Sequence, residues 1–301
     1  MYRQFQRVTY RDGGILSNWE LASRLAEESQ VLCIVNTRKM AQEVFALLPE
    51  EGRFHLSTLM YPKHRKMILE TVRSRLKKGL PCRVVSTSLI EAGVDVDFPV
   101  VFRQMAGLDS LTQAAGRCNR EGRRPAEDSI VTYFEGETPA PLLQRVNIGA
   151  AREALATGDT PGDPKTIQRY FRAWRSLVGD NLDKSGVVTH FKNGIAGCAL
   201  PFRTVSEQFH MIDQETKTVY IPLEEGVALC RRIAEGFANR QDYRQAGQFG
   251  VTVYDRHYQA LVSAGDVKPV DEGSGILTNP SLYSEEMGLS LEADTGKGEF
   301  I

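Results

Sequence analysis

Val31-Leu-Cys-Ile-Val35 is an unbroken apolar run, a pattern that suits a central strand covered on both faces. Asn36-Thr37-Arg38 follows at once, and then a helical pattern from Lys39 to Leu48. The alternation recurs as far as residue 135. Ser17 caps a helix to about Ser29, with Trp19, Leu21, Leu25 and Ala26 roughly on one face. Pro62 opens a long helix to about Lys78, which Gly79 and Pro81 end. Further strands are expected near Phe54–Thr58 and at Arg83–Thr87, Val100–Gln104 and Ile130–Phe134, with an edge strand over Phe5–Tyr10 closed by Asp12-Gly13-Gly14. Strand and helix in alternation require right-handed crossovers. The fold class is therefore α/β, a doubly wound lobe of roughly five parallel strands.

Past Phe134 the pattern changes. Glu135–Pro141 holds two prolines and a glycine and reads as a linker. A helix is expected over Leu142–Ala156, then a Gly/Pro/Asp hinge at 158–164, then a helix Lys165–Val178 with Tyr170, Phe171, Trp174 and Leu177 as its apolar face. From Gly186 short segments dominate. They comprise a hairpin around Asp213, a helix Glu224–Phe237, a strand near Phe249–Tyr254, a helix Asp255–Ala264 and strand signal at Gly275–Leu277. The expected division is a lobe over 1–135, a helical linker over 136–185, and a smaller α+β accessory domain over 186–301. A length of 301 residues allows two cores. The net charge of -1 argues against a globally basic coat but leaves room for a local basic groove. The five cysteines lack Cys-x-x-Cys pairing and read as reduced packing residues. No run approaches a membrane span and the N-terminus lacks a signal-peptide core, so a cytoplasmic protein with no membrane partner is expected. The five histidines show no ligand spacing, and no metal site is expected.

Asn36, Thr37, Ser86, Thr87, Gly93 and Asp95 fall at or just past the strand C-termini, where ligands of open α/β sheets bind. Asn36, Thr37 and Arg38 suit an anionic backbone, or are a helix cap with a surface arginine. Ser86 and Thr87 offer hydroxyl and amide to a phosphate, or simply cap the next turn. His64 and Arg65 are weaker candidates for the same role, a satisfied histidine being the alternative. Gly93 and Asp95 form a Gly-x-Asp turn; Asp95 meets a ribose hydroxyl, holds Arg117 or Arg120 in register, or is an ordinary turn aspartate. Gln113, Gly116, Arg117 and Arg120 continue a helical spacing that puts both arginines on one face. Planar forks there suit a polyphosphate whose charge develops during phosphoryl transfer, with Gln113 orienting water or phosphate. A phosphate-cradling loop is not found. Gly158–Thr166 has the wrong spacing and Thr295-Gly-Lys-Gly298 lacks the following hydroxyl. No acidic Asp-Glu-x-His box occurs.

The Gly93–Asp95 turn and the Gln113–Arg120 string resemble motifs V and VI of superfamily 2 helicases. Together with Ile34–Arg38, Leu56–Met60, Val85–Phe98, Asp109–Gly122, Pro201–Val205 and Gly275–Leu289, they resemble the CRISPR-associated helicase-nuclease of type I interference systems. That resemblance implies a second RecA-like lobe, a linker and an accessory C-terminal domain. It implies an enzyme recruited by an RNA-guided surveillance complex, moving 3′ to 5′ along single-stranded DNA with ATP and magnesium. Most of the nucleotide contacts would then lie in an N-terminal nuclease and first lobe that this sequence lacks, leaving the chain inactive alone. The alternative is a non-catalytic shorter product that binds the surveillance complex or DNA.

Overall fold

The computed structural model describes residues 7–91, 93–183, 185–197, 199–209 and 216–291. The large sheet is built from β1 (Thr9–Leu16), β2 (Gln30–Ile34), β3 (Arg53–Leu56), β4 (Cys82–Ser86), β5 (Val100–Gln104) and β6 (Ile130–Gly136). Between them run α1 (Asn18–Glu27), α2 (Arg38–Leu47), α3 (Pro62–Lys77) and α4 (Leu108–Ala115). The strand order is β1-β6-β5-β2-β4-β3, and every pair is parallel. The apolar run at β2 is explained by two cores. Leu32 and Ile34 pack on one face with Val84, Phe98 and Val101, while Val31, Cys33 and Val35 pack on the other with Leu25, Phe45 and Phe134. Successive residues of a strand point to opposite faces, so a strand with both faces covered must be apolar throughout. Cys33, Cys82, Cys118 and Cys230 are all buried and unpaired, and burial pushes the thiols of Cys82 and Cys118 up to about 12.

The edge strand differs from the expected Phe5–Tyr10, of which residues 5 and 6 lie outside the described residues. β1 runs on through Asp12-Gly13-Gly14 to Leu16, with a register shift between Asp12 and Ile15. The Gly14 N–H donates to Asp12 Oδ1 at 2.9 Å, and Gly14 takes φ +69. The glycines thus make a bulge within the strand rather than its end.

By compactness the chain forms two units, residues 1–141 with 216–301, and residues 142–215. The expected division instead set the lobe apart from 186–301. In the second unit, α5 (Arg145–Leu155) packs on α6 (Pro164–Val178), and Trp174 Nε1 donates to Asn147 Oδ1 at 2.9 Å. Tyr170 and Ala173 form the buried stripe of α6, whereas Phe171 and Leu177 are exposed. Two helices, α7 (Val187–Ala196) and α8 (Phe202–Gln208), stand where only short segments were expected. The expected hairpin around Asp213 lies outside the described residues.

The chain then forms β7 (Thr216–Tyr220), α9 (Gly226–Ala234), α10 (Arg240–Ala246), β8 (Gly250–Tyr254), α11 (Asp255–Ser263), β9 (Val267–Pro269) and β10 (Ser274–Leu277). Its sheet has the order β8-β7-β10-β9, and a two-stranded hairpin, β11 (Tyr283–Ser284) and β12 (Gly288–Leu289), follows. Leu59 and Tyr61, from the loop after β3, sit in this second core with Val219, Phe249 and Val251. The Tyr61 N–H donates to Tyr283 Oη at 3.3 Å, and the Leu289 N–H donates to the Leu59 carbonyl at 2.8 Å. Gly288 takes φ +80, and a Cβ there would lie 2.5 Å from the Leu59 carbonyl oxygen. Gly288→Ala should therefore lower unfolding stability by about 1–3 kcal/mol, read by urea denaturation; an unchanged midpoint would show that the hairpin does not clasp the lobe.

Candidate functional site

β4 ends at Ser86, and a short turn, Ser88–Ile90, leads to Glu91. Gly93 then takes φ +72, reversing the chain where a side chain would be strained, and Asp95 beyond it is exposed. Val96 and Phe98 return to the core. α4 buries Leu108, Leu111, Ala114 and Ala115 and leaves Gln113 exposed. It stops at Ala115, with the Arg117 N–H bonded to Ala114 O and the Cys118 N–H to Ala115 O, a tightened last turn. The expected continuous helix through Arg120 is not formed. The chain instead runs beside Phe98, whose N–H donates to Arg117 O at 2.9 Å and whose carbonyl accepts from Asn119 N–H at 3.0 Å.

This path gives the two arginines different surroundings, so they do not share an exposed helix face. Arg117 is buried; its Nε donates to Ile90 O at 3.1 Å and its Nη2 to Glu91 O. Burial, the neighbouring Arg120 charge second, moves its pKa down. Arg120 is exposed, and its Nε lies 2.8 Å from Asp95 Oδ1. Asn119 makes the turn between them. It adopts φ +47, its Nδ2 donates to Arg7 O and Arg124 O, and its Oδ1 accepts from Arg124 N–H. Asp97 Oδ1 accepts from the Arg120 N–H at 2.8 Å and from Arg124 Nη1 at 3.1 Å. Asn119 and Asp97 were not singled out in the sequence. An Asn inside the Arg-Cys-Asn-Arg string is the signal, because asparagine tolerates the left-handed region.

Arg103 was missed as well. Its side chain, 2 % exposed, lies in β5 with Nε 2.6 Å from Glu91 Oε1. Its Nη1 donates to Asn36 Oδ1 at 2.7 Å and to Gln104 O at 2.9 Å. Burial lowers the Arg103 pKa and raises that of Glu91, and each opposes the shift of the other. An arginine in the otherwise apolar Val100-Val-Phe-Arg-Gln104 is the sequence signal for such a pair.

The strand-end residues are brought together in part. Ile34 and Ser86 are paired in register, so the ends of β2 and β4 adjoin. Asn36 is committed to the protein, its N–H donating to Gln104 Oε1 and its Nδ2 to Met105 O, both at 2.8 Å. Thr37 caps α2 by accepting from the Met40 N–H. Arg38 is half-buried, with its guanidinium 5.5 Å from the centre of the Tyr254 ring. Ser86 is buried with its hydroxyl donating to Thr87 O, and the Thr87 N–H donates to Leu56 O, so that hydroxyl and that amide have partners within the protein. His64 is buried, with Nδ1 2.7 Å from Tyr283 Oη, and burial depresses its pKa. The imidazole is packed against the Tyr283 ring of the C-terminal hairpin. Arg65, its neighbour, donates to Met60 O at 2.7 Å and borders a shallow cleft with Thr58, Thr218, Tyr220 and Thr252. Among the described residues no group of three His, Cys, Asp or Glu side chains could hold a metal ion, and no helix is long and apolar enough to cross a membrane.

A parallel sheet of this order, with motif-bearing turns at its C-terminal edge, defines a RecA-like lobe, here with a C-terminal domain. Residues 27–123 match the family model for the C-terminal region of the CRISPR-associated nuclease/helicase Cas3. A Cas3 of Haloferax volcanii is 43% identical over 89 residues, 29% of this chain and 10% of the relative. A Cas3 of Methanothermobacter thermautotrophicus is 26% identical over 179 residues, 58% of this chain and 20% of the relative. The chain thus spans about a tenth to a fifth of the length of these curated relatives. A crystal structure of T. fusca Cas3 with ATP shares the fold at TM-score 0.59 and 15% identity, covering 90% of this chain and 39% of that one. Taken together, these matches make residues 27–123 similar in sequence, and most of the chain similar in fold, to a C-terminal portion of a Cas3 helicase-nuclease.

The two arginines should separate in a stability measurement on the chain itself. Arg117→Ala strips the donors from two buried carbonyls and should cost about 1–3 kcal/mol. Arg120→Ala removes only a surface ion pair and should change stability by under about 1 kcal/mol. Equal midpoints in urea would contradict the buried placement of Arg117.

Proposed function

We propose that the chain serves as the second RecA-like lobe and C-terminal region of an ATP-dependent single-stranded-DNA translocase, the helicase-nuclease of type I CRISPR interference. Its working parts are the lobe over 1–135, a linker over 136–185 and an accessory domain over 186–301. One observation carries the reading: Arg120 is exposed and its Nε lies 2.8 Å from the carboxylate of Asp95, two residues past Gly93, so the two motif segments adjoin. Arg120 acts as a finger that crosses a cleft to the γ-phosphate. Arg117 holds the turn beneath it and adds a second positive charge, Gln113 orients phosphate or attacking water, and Gly93 and Asp95 complete the nucleotide side. A guanidinium exposed at Arg120 and the exposed Gln113 carboxamide are donor types that fit an anionic polyphosphate. Bound ATP would supply the phosphoryl group for transfer; its magnesium and most of its contacts belong to the first lobe, the partner that also brings the nuclease.

Single-stranded DNA is contacted by Thr37, Arg38 and Arg65, while Asn36, Ser86, Thr87 and His64 hold the strand ends and α3 that present them. The remaining partner is the RNA-guided surveillance complex, and the setting is the cytoplasm. The support is the family match together with a fold shared with a T. fusca Cas3 crystallised with ATP and with a CRISPR RNA-guided surveillance complex in its pre-nicking state.

In an enzyme that contains both lobes, Arg120→Ala should lower turnover by about 10³-fold or more at saturating ATP and single-stranded DNA, with a smaller effect on nucleotide affinity. Arg120→Lys should rescue poorly, because a point charge lacks the planar fork. Near-normal turnover in the alanine variant would refute the finger. The chain alone should show no ATP turnover, since the loop that cradles phosphate is not in this sequence.

A second expectation concerns the groove. The chain should bind a labelled single strand weakly, with affinity that falls as salt rises. Arg38→Ala should weaken binding and flatten that salt dependence. Binding indifferent to both would remove Arg38 from the interface.

A further inference from the structure

Arg103 is a guanidinium sealed inside the lobe, at the C-terminal end of a central strand. A buried ion pair can often be replaced by apolar side chains with little loss of stability, so stability alone is a weak account of this one. Its partners are more telling, because they come from two other segments, one of which also holds Arg117. Nη1 donates to Asn36 Oδ1 at 2.7 Å, beside Thr37 and Arg38. Nε meets Glu91 Oε1 at 2.6 Å, in the turn before Gly93. The backbone carbonyls of Ile90 and Glu91 then accept from Arg117. Asn36 is tied into the same chain by its remaining donors, on Gln104 Oε1 and Met105 O. A run of short polar contacts therefore joins the Asn36–Arg38 loop to Arg117 by way of the buried Arg103 and Glu91 side chains.

We propose that Arg103 is a positioning residue that couples single-stranded DNA on the Asn36–Arg38 loop to the placement of the motif V turn and Arg117. The proposal rests on the function proposed above. A phosphate drawn to Thr37 and Arg38 pulls on Asn36. Inside the lobe a broken charged contact cannot be replaced by water, so the guanidinium and the Glu91 carboxylate move with it. Glu91 carries the carbonyl that Arg117 holds, and the nucleotide side responds.

The test uses an enzyme with both lobes and three variants. Arg103→Met with Glu91→Met removes the pair while filling its volume, Arg103→Lys keeps the charge without the fork, and Asn36→Ala cuts the chain at its outer end and leaves the buried pair. Turnover is measured at saturating ATP with and without oligo-dT, and oligo-dT affinity by fluorescence anisotropy. The ratio of DNA-stimulated to DNA-free turnover should fall tenfold or more in each folded variant, while oligo-dT affinity stays within threefold for the two that change Arg103. A preserved ratio in any folded variant would overturn the coupling, as would a ratio that falls only in proportion to oligo-dT affinity or melting temperature. Should the double replacement fail to fold, Asn36→Ala decides. A wild-type enzyme indifferent to oligo-dT would overturn both this proposal and its parent. An intact ratio beside an inactive Arg120→Ala enzyme would overturn the coupling alone.

Discussion

Every strand of the large sheet is parallel, so all six leave it at the same edge. That constraint governs the lobe. Hydrogen-bond ladders stop together there, and the turns that follow must find partners for their backbone groups or present them to a ligand. At β2 and β5 the solution is a polar network of Asn36, Gln104 and Met105; at β4 it is the Ser86 hydroxyl on Thr87 O. The exposed edge is left with glycine turns and long cationic side chains, which sit on groups already satisfied by the protein. Under the function proposed above, such a floor of satisfied groups would carry the cationic side chains that meet anions.

The apolar run at β2 and the Gly-x-Asp and Gln-x-x-Gly-Arg strings were legible because each is local. A strand with two covered faces has one composition, and these turn and helix residues carry specific spacing. Helix α4 shows where such reading stops. Residues 113–120 keep helical spacing, yet the segment after Ala115 gains more by pairing with Phe98, a residue brought alongside only by the sheet. The burial of Arg117 follows from that pairing and could not be read from spacing. Arg103 was overlooked for the opposite reason. An arginine in an apolar strand is a visible anomaly, but its partner Glu91 is 12 positions away and only the fold brings them to 2.6 Å. His64, Ser86 and Thr87 have the right chemistry for phosphate, but their burial and their partners come from the fold and not from the local sequence.

The C-terminal sheet was harder to read. Its strands are three to five residues long, and β9 and β10 are separated by a few turn residues, so periodicity has little to work with. The helices at Val187–Ala196 and Phe202–Gln208 carry glycine, threonine and valine, which are poor helix formers. Long-range contacts hold the rest. The Arg53–Glu286 pair and the pairing of Lys63 with Glu224 and Glu225 link the β3–α3 region to segments more than 150 residues later.

Leu59 and Tyr61 belong to the early part of the chain but complete the later core. Tyr61 and its partner Tyr283 are 222 positions apart. Closing a loop of that length has to precede any reward from the contacts, which makes this step slow relative to the local pairings of the lobe. During synthesis the β3–α3 loop therefore emerges with two large apolar side chains and waits for the sheet that covers them. One short loop of the lobe is thus shared by the C-terminal core, which is incomplete without it.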